Sequence, residues 1–313
     1  MQSDYGKSQT LSYIITQCTK QSKANLILHT EGKNTLFSKV LHLFDWSAID
    51  LRASMAGDII ILKFGGSLIT DKKSETPKAD HNALGKISNI LKDKNRKLII
   101  VHGAGSYGHP IAKKYKIAEG LNDSQEQKEA IEETRNQVYE LNQLLCKSLQ
   151  EAGIRTESVI PSHSMQTKGA RKIENFPVDE FERALKEGKV PVTFGDVTED
   201  LVQGINILSG DVIMMELARI YKPSLAVFVM DYPGVMEDPG SENSKIIPLV
   251  NSETRGSIGK YYGKGDLMDV TGGLVGKLEC AAEIAKHSQC WITSLDNLDN
   301  CLNGDLQGSR VVP

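Results

Sequence analysis

From Asp58 onward the apolar residues fall into two alternating kinds of stretch. Short continuous runs at 59–64 (IIILKF), 97–102 (KLIIVH), 225–231 (LAVFVMD) and 290–294 (CWITS) have the pattern of strands buried on both faces. Between them lie segments of helical period. Residues 81–93 put Leu84, Ile87, Ile90 and Leu91 on one face, and 124–152 form a long amphipathic stretch that opens at Ser124 as an N-cap and stops before Gly153. Further helices are expected at 178–188, 211–221 and about 273–287, strands at 155–160 and 190–196, and a hairpin-like pair at 197–208. Strands alternating with helices predict an α/β fold, a three-layer αβα sandwich with a mostly parallel central sheet. Ligands of such sheets bind beyond the carboxyl ends of the strands.

Residues 1–54 break this pattern. They are rich in Ser, Thr, Lys and Asn, with apolar bursts of no sustained period, and Met55 stands just before the first strong strand. The expectation is an N-terminal extension over 1–54, poorly ordered or upstream of the natural start, followed by one catalytic domain over 55–313. No basic segment leads into an apolar one, so a secretory signal is not expected.

Charge and cysteine usage narrow the partners. The balance of 37 basic to 40 acidic residues, net −3, lacks a long polybasic run, which argues against nucleic acid or an anionic membrane as partner. Five scattered cysteines without a C-x-x-C pair fit reduced thiols, and no apolar stretch approaches the roughly 18–20 residues of a membrane span. A soluble, cytoplasmic protein is expected, and any affinity for anions must come from local lysines and backbone amides.

Three glycine-rich segments sit where such a site belongs: 63–72 (KFGGSLITDK), 102–109 (HGAGSYGH) and 269–277 (DVTGGLVGK). Gly103, Gly105 and Gly108 spell G-x-G-x-x-G, yet no strand leads to the acid near the required distance, Asp123, so the dinucleotide-binding reading fails. The third segment is no Walker A loop, because Thr271 holds the first glycine position and Leu278 the hydroxyl position. One Gly-Gly pair after a strand is often only a tight turn. Three such loops, each beside a lysine or histidine, point to phosphate chemistry. His102, at a strand end, reads as structural.

The ordered set K-x-G-G-S at 63–67, H-G-A-G-S-Y-G-H at 102–109, FGD at 194–196, LSGD at 208–211, MDYPGV at 230–235 and DVTGG at 269–273 resembles the amino acid kinase superfamily, and within it the isopentenyl phosphate kinases. The resemblance runs through most of 58–313 and implies an amino acid kinase-like fold. It also implies ATP-dependent phosphorylation of isopentenyl phosphate to isopentenyl diphosphate in isoprenoid biosynthesis, with Mg2+ and a homodimer. Fosfomycin kinases share the terminal His109 and are the close alternative, followed by other small-molecule kinases of the fold; a non-catalytic nucleotide-binding protein would lack the lysines.

By the same resemblance Lys63 and Lys72 hold the transferred phosphoryl group, and Gly65, Gly66 and Ser67 line the ATP phosphates. Ala104 and Gly105 lie between donor and acceptor, and His109 holds the acceptor phosphate. Gly195 and Asp196 adjoin the acceptor, while Asp231, Gly272, Gly273 and Lys277 belong to the nucleotide side. Asp211 and Asp196 are candidates to orient lysines or waters around Mg2+, or equally to cap helices; no residue is expected to ligate a metal. Ala104 stands where many relatives have Gly, a change that is tolerable if its φ is negative. Phe194 stands where many have His, and Met230-Asp231-Tyr232-Pro233 where Thr-Asp-Val-Asp is common. An isoprenoid tail would need an apolar wall, to which 131–165, with Val138, Leu141 and Ile160, is expected to contribute.

Overall fold

The computed structural model describes residues 58–71, 73–94, 96–169, 171–238, 241, 244–262 and 273–313. The extension expected over 1–54 lies outside the described residues, as do Lys72 and Gly272.

In chain order β1 (Ile59–Phe64), α1 (Gly66–Ile69) and α2 (His81–Leu91) lead to β2 (Lys97–His102). Next come α3 (His109–Lys114), α4 (Gln125–Glu151), β3 (Thr156–Ser158), α5 (Pro161–Ser164), β4 (Gln166–Thr167), β5 (Ile173–Asn175) and α6 (Val178–Lys186). They are followed by β6 (Val190–Phe194), β7 (Asp196–Asp200), β8 (Gly204–Leu208), α7 (Gly210–Tyr221) and β9 (Leu225–Met230). The described chain ends with β10 (Leu249–Val250), α8 (Ser252–Tyr262), α9 (Gly273–Ile284), β11 (Gln289–Ser294), α10 (Leu298–Leu302) and β12 (Ser309–Val311).

Eight strands form the main sheet in the order β10-β12-β11-β9-β1-β2-β6-β3, and β5-β4-β7-β8 form a smaller one. In the main sheet β12 runs antiparallel to β11, and every pairing from β11 across to β3 is parallel. The sheet divides the core by the two-residue alternation of its strands. Ile59, Ile61, Ile99, Val101, Ala226, Phe228 and Ile292 face α6, α7 and α9, represented by Phe181, Leu217 and Ala281. Ile60, Leu62, Phe64, Ile100, Val192, Val227 and Val229 face α2, α4 and α10, represented by Ile87, Leu145 and Leu298. Both faces are covered, which is why the strands read as continuous apolar runs. This is the three-layer α/β architecture that the pattern predicts.

The caps also follow the sequence. Ser124 Oγ accepts from Gln127 N at 3.2 Å and starts α4, whose end passes to Gly153 at φ +87°. The strand expected over 190–196 is corrected: it breaks at Gly195. There the amide donates to His102 O at 3.0 Å and the backbone packs against Gly210, so β6 ends in the main sheet and β7 begins in the other. Asp196–Asp200 and Gly204–Leu208 then pair antiparallel, as the hairpin pattern suggests.

The four described cysteines Cys146, Cys280, Cys290 and Cys301 are unbridged and buried. Among the described residues no helix is long and apolar enough to cross a membrane.

Candidate functional site

The crossover from β1 to β2 passes through α2 on one face of the sheet, whereas α7, on the other face, leads into β9. β1 therefore stands where the winding reverses, between β2 and β9, and a crevice opens beyond its carboxyl end. The loops after β1, β2 and β6 and the start of α7 meet at this edge.

Alternation along β1 turns Lys63 toward α7 and α9. Its Nζ lies 2.9 Å from Asp211 Oδ1, and Lys277 Nζ reaches the same carboxylate at 3.1 Å to Oδ1 and 2.9 Å to Oδ2. Asp211 is in the first turn of α7, where Ser209 Oγ caps the helix by accepting Asp211 N at 3.0 Å. Lys277 Nζ also lies 5.4 Å from the centre of the Phe228 ring. Burial drives the Lys63 ammonium down to about 8, against the pull of Asp211 and with a push from Lys277. Burial acts to raise the Asp211 carboxyl, but Lys277 and then Lys63 overcome it and hold the group well below the carboxylate range. Two cations sharing one anion leave the cluster with a net positive charge, which suits a phosphate.

The first two glycine loops pack backbone against backbone. A Cβ built on Gly66 would collide with the Gly105 amide nitrogen, and one on Gly103 would lie 2.7 Å from Gly66 N. Gly105 takes φ +53°, with Thr70 Oγ1 filling the space where its side chain would be. Gly65 N donates to Val229 O and Gly103 N to Phe64 O, each at 3.0 Å, anchoring the loops to the strand ends. Glycine is needed here because no other residue allows this approach. Ala104 has φ −78° and ψ −34°, so alanine fits its position without strain.

On the far side of the second loop, His109 begins α3, half-buried, with Pro110 after it. His102 is fully buried, stacked on Phe194 at 5.2 Å between ring centres, with Nδ1 3.0 Å from Gly103 O. A carbonyl only accepts, so the proton is on Nδ1; burial lowers this imidazole to about 4 and keeps it neutral. Asp196 is buried with both oxygens engaged, Oδ2 accepting Ser162 N at 3.0 Å and Oδ1 accepting Val197 N at 2.8 Å. Burial raises its pKa, and these hydrogen bonds offset only part of that effect. Asp196 thus fixes the start of α5 beside the site.

Residues 58–294 match the amino acid kinase family. The chain belongs to that family. It is 33% identical over 267 residues to the isopentenyl phosphate kinase of Methanothermobacter thermautotrophicus, covering 81% of this chain and 98% of that protein. It is 30% identical over 270 residues to the Methanocaldococcus jannaschii isopentenyl phosphate kinase, with the same coverage of 81% and 98%. A crystal structure of isopentenyl phosphate kinase superposes with a TM-score of 0.70 at 27% identity, covering 81% of this chain and all of that one. The resemblance carried by the ordered motifs is borne out along the length of these kinases.

Within this amino acid kinase, the residues expected at the site are not all drawn together. Lys63, Gly65, Gly66, Gly105 and Lys277 converge, with Gly195 beneath them against Gly210. Gly273 takes φ +60° at the start of α9, the helix that delivers Lys277. Ser67 is exposed in the first turn of α1, and Asp231 is exposed just after β9. Of the residues expected to wall an acceptor tail, Leu141 is packed in the core beneath the sheet, whereas Val138 is buried against the second glycine loop, its Cγ2 3.0 Å from a Cβ placed on Gly108. Of the roles expected for Asp211, the structure shows the pairing with lysines, while the cap of α7 is Ser209. Thr70 went unnoticed, since a lone threonine beyond a short helix carries no signal until the fold brings the second glycine loop against it.

Proposed function

We propose that this chain transfers the γ-phosphoryl group of ATP to isopentenyl phosphate, giving isopentenyl diphosphate and ADP. The observation that carries the reading is the Lys63–Asp211–Lys277 cluster beside two interlocked glycine loops, in a chain alignable over nearly the full length of isopentenyl phosphate kinases.

The acceptor is already a phosphate, ionised near neutral pH, so no strong general base is required. The obstacle is the approach of two anions. Lys63, protonated below about 8, and Lys277 offset the charge that spreads over the phosphoryl oxygens. Gly65 N and Gly103 N are held by the strand ends, so the amides of Gly66, Ala104 and Gly105 supply the further preorganised donors. His109 donates a hydrogen bond to the acceptor phosphate and orients it for in-line attack. The acceptor oxygen then bonds to phosphorus as the bond to the ADP oxygen breaks. Asp196 supports the acceptor side through Ser162 rather than by contact with the anion. Lys72, Asp231, Gly272 and Gly273 are assigned to the phosphoryl group and the nucleotide by family correspondence.

Magnesium would arrive with ATP, held by its phosphate oxygens and water. Both Asp211 oxygens are bonded to lysine ammoniums, so no side chain is assigned to the ion. The reading takes 55–313 as the catalytic domain, and a homodimeric, cytoplasmic enzyme is the family expectation. The test is ADP release with Mg-ATP and isopentenyl phosphate, dimethylallyl phosphate, fosfomycin, N-acetylglutamate or UMP. Preference for isopentenyl phosphate supports the reading; activity on fosfomycin alone transfers the chain to the neighbouring kinases, and silence with all five on folded, ATP-binding protein overturns it.

A further inference from the structure

The two glycine loops touch, but backbone contact alone does not fix their relative position. A pair of buried hydroxyls does. Thr70, the C-cap of α1, is 2% exposed and donates from Oγ1 to Gly66 O at 2.8 Å. The same oxygen accepts from Ser106 N at 3.1 Å, so one hydroxyl is bonded to both loops. Ser106 Oγ in turn accepts Lys78 N at 3.2 Å and lies 3.4 Å from Lys78 O. The loop between Thr70 and Lys78 is closed at its neck by the Thr70–Ala79 bridge, by Asp71 N donating to Lys78 O at 2.9 Å, and by the Asp71–Lys78 ion pair.

We propose that Thr70 is a positioning residue for phosphoryl transfer, and that with Ser106 it locks the donor-side loop, the acceptor-side loop and the neck of the 71–78 loop into one rigid body. The inference rests on the phosphoryl-transfer reading and adds to it. Gly66 belongs to the loop along the nucleotide phosphates and Gly105 to the loop between donor and acceptor. The Thr70 hydroxyl sets the spacing of these two without meeting either substrate. Transfer depends on donor and acceptor being held within a near-attack distance, and small misplacements have large effects on the rate. Binding of each substrate alone asks less of the relative position of the loops, so loosening the lock should act on turnover before affinity.

Thr70→Val keeps the shape and removes both hydrogen bonds, and Thr70→Ser restores the hydroxyl. The expected result for Thr70→Val is a kcat lower by about tenfold to a hundredfold, with the KM values of ATP and isopentenyl phosphate changed by less than about threefold. Thr70→Ser should return kcat to within about threefold of the parent. Thr70→Val with unaltered kcat and only a lower Tm overturns the proposal, as does a rise in either KM with kcat unchanged. If Thr70→Val does not fold, Thr70→Cys, which has nearly the same size but only weak hydrogen-bonding capacity, takes its place, and parental kcat in that variant is equally fatal. Failure of the parent chain itself to phosphorylate isopentenyl phosphate would instead refute the underlying reading.

Discussion

Lys63 on β1 and Asp211 on α7 are joined by a buried ion pair of 2.9 Å, and the carboxylate is shared with Lys277 from α9. Three separate elements are therefore tied together at the point where the reaction needs positive charge. Burial drives the Lys63 ammonium down, and the shared anion is what opposes that loss.

The pH dependence follows from this pair. Lys63 loses its proton at about 8, so kcat/KM should fall as pH rises through that value. Asp211→Asn removes the main attraction for the Lys63 proton, moving the alkaline limb to lower pH and reducing activity at pH 7.5 by about tenfold or more. Stability rises with pH through both groups, in two separate windows. Lys63 is held less strongly protonated in the fold than at its ordinary 10.5, so stability rises between about 8 and 10.5. Asp211 is depressed, so its contribution is complete above 3.8 and is lost as pH falls below it. A pH–rate profile of the parent and the Asp211→Asn variant checks the first claim; an alkaline limb that does not move contradicts it.

The glycine loops predict a contrast between two alanine substitutions. Gly66→Ala drives a methyl into the Gly105 backbone and should destabilise by about 2 kcal/mol while nearly abolishing activity. Gly85→Ala on α2 has nothing within 4 Å of the new methyl and should stabilise by about 0.5–1 kcal/mol with activity intact. Urea denaturation and steady-state turnover measure both. Equal tolerance at the two positions would mean that the loops are not interlocked.

Much of this arrangement was legible because its elements announce themselves locally. The runs that became β1, β2, β9 and β11 are continuous because both faces are covered, and Ser124 with Gly153 brackets α4. The smaller sheet was half hidden: β7 and β8 alternate, whereas β4 holds only Gln166 and Thr167 and β5 only Ile173–Asn175. α8, with Ser252 to Tyr262, carries no apolar stripe and was not foreseen. At the site, lysines and glycines were visible as types at strand ends. That Lys63 and Lys277 share Asp211, and that Thr70 joins two loops, depends on contacts between distant parts of the chain, which spacing does not encode.

His109 and Lys63 should separate binding from turnover. In the proposed role His109 orients the acceptor phosphate, and His109→Ala should then raise the acceptor KM by about tenfold or more while the ATP KM stays near its parental value. On the same proposal Lys63 stabilises charge during transfer, and Lys63→Ala should lower kcat by about a hundredfold or more. Steady-state kinetics with each substrate varied in turn decides between them, and an unchanged kcat/KM for the acceptor in His109→Ala removes that residue from its role.

His102 makes the last prediction, about stability in acid. Its ring is stacked on Phe194 and fully buried, and burial lowers its pKa to about 4 from 6.5. The unfolded chain therefore takes up a proton that the folded one refuses, so the His102 contribution is complete above 6.5 and is lost as pH falls toward 4. A shift of this size corresponds to about 3 kcal/mol across the interval. In His102→Phe, which keeps the stacking and removes the titration, the loss of stability between pH 6.5 and 4 should be smaller by about that amount, even though the variant forfeits the bond to Gly103 O and starts from a lower stability at pH 7. Urea midpoints at pH 7, 5.5 and 4.5 measure the slope. Parallel slopes for the parent and the variant would show that His102 is protonated in the fold, and its place as a neutral prop beneath the second glycine loop would have to be abandoned.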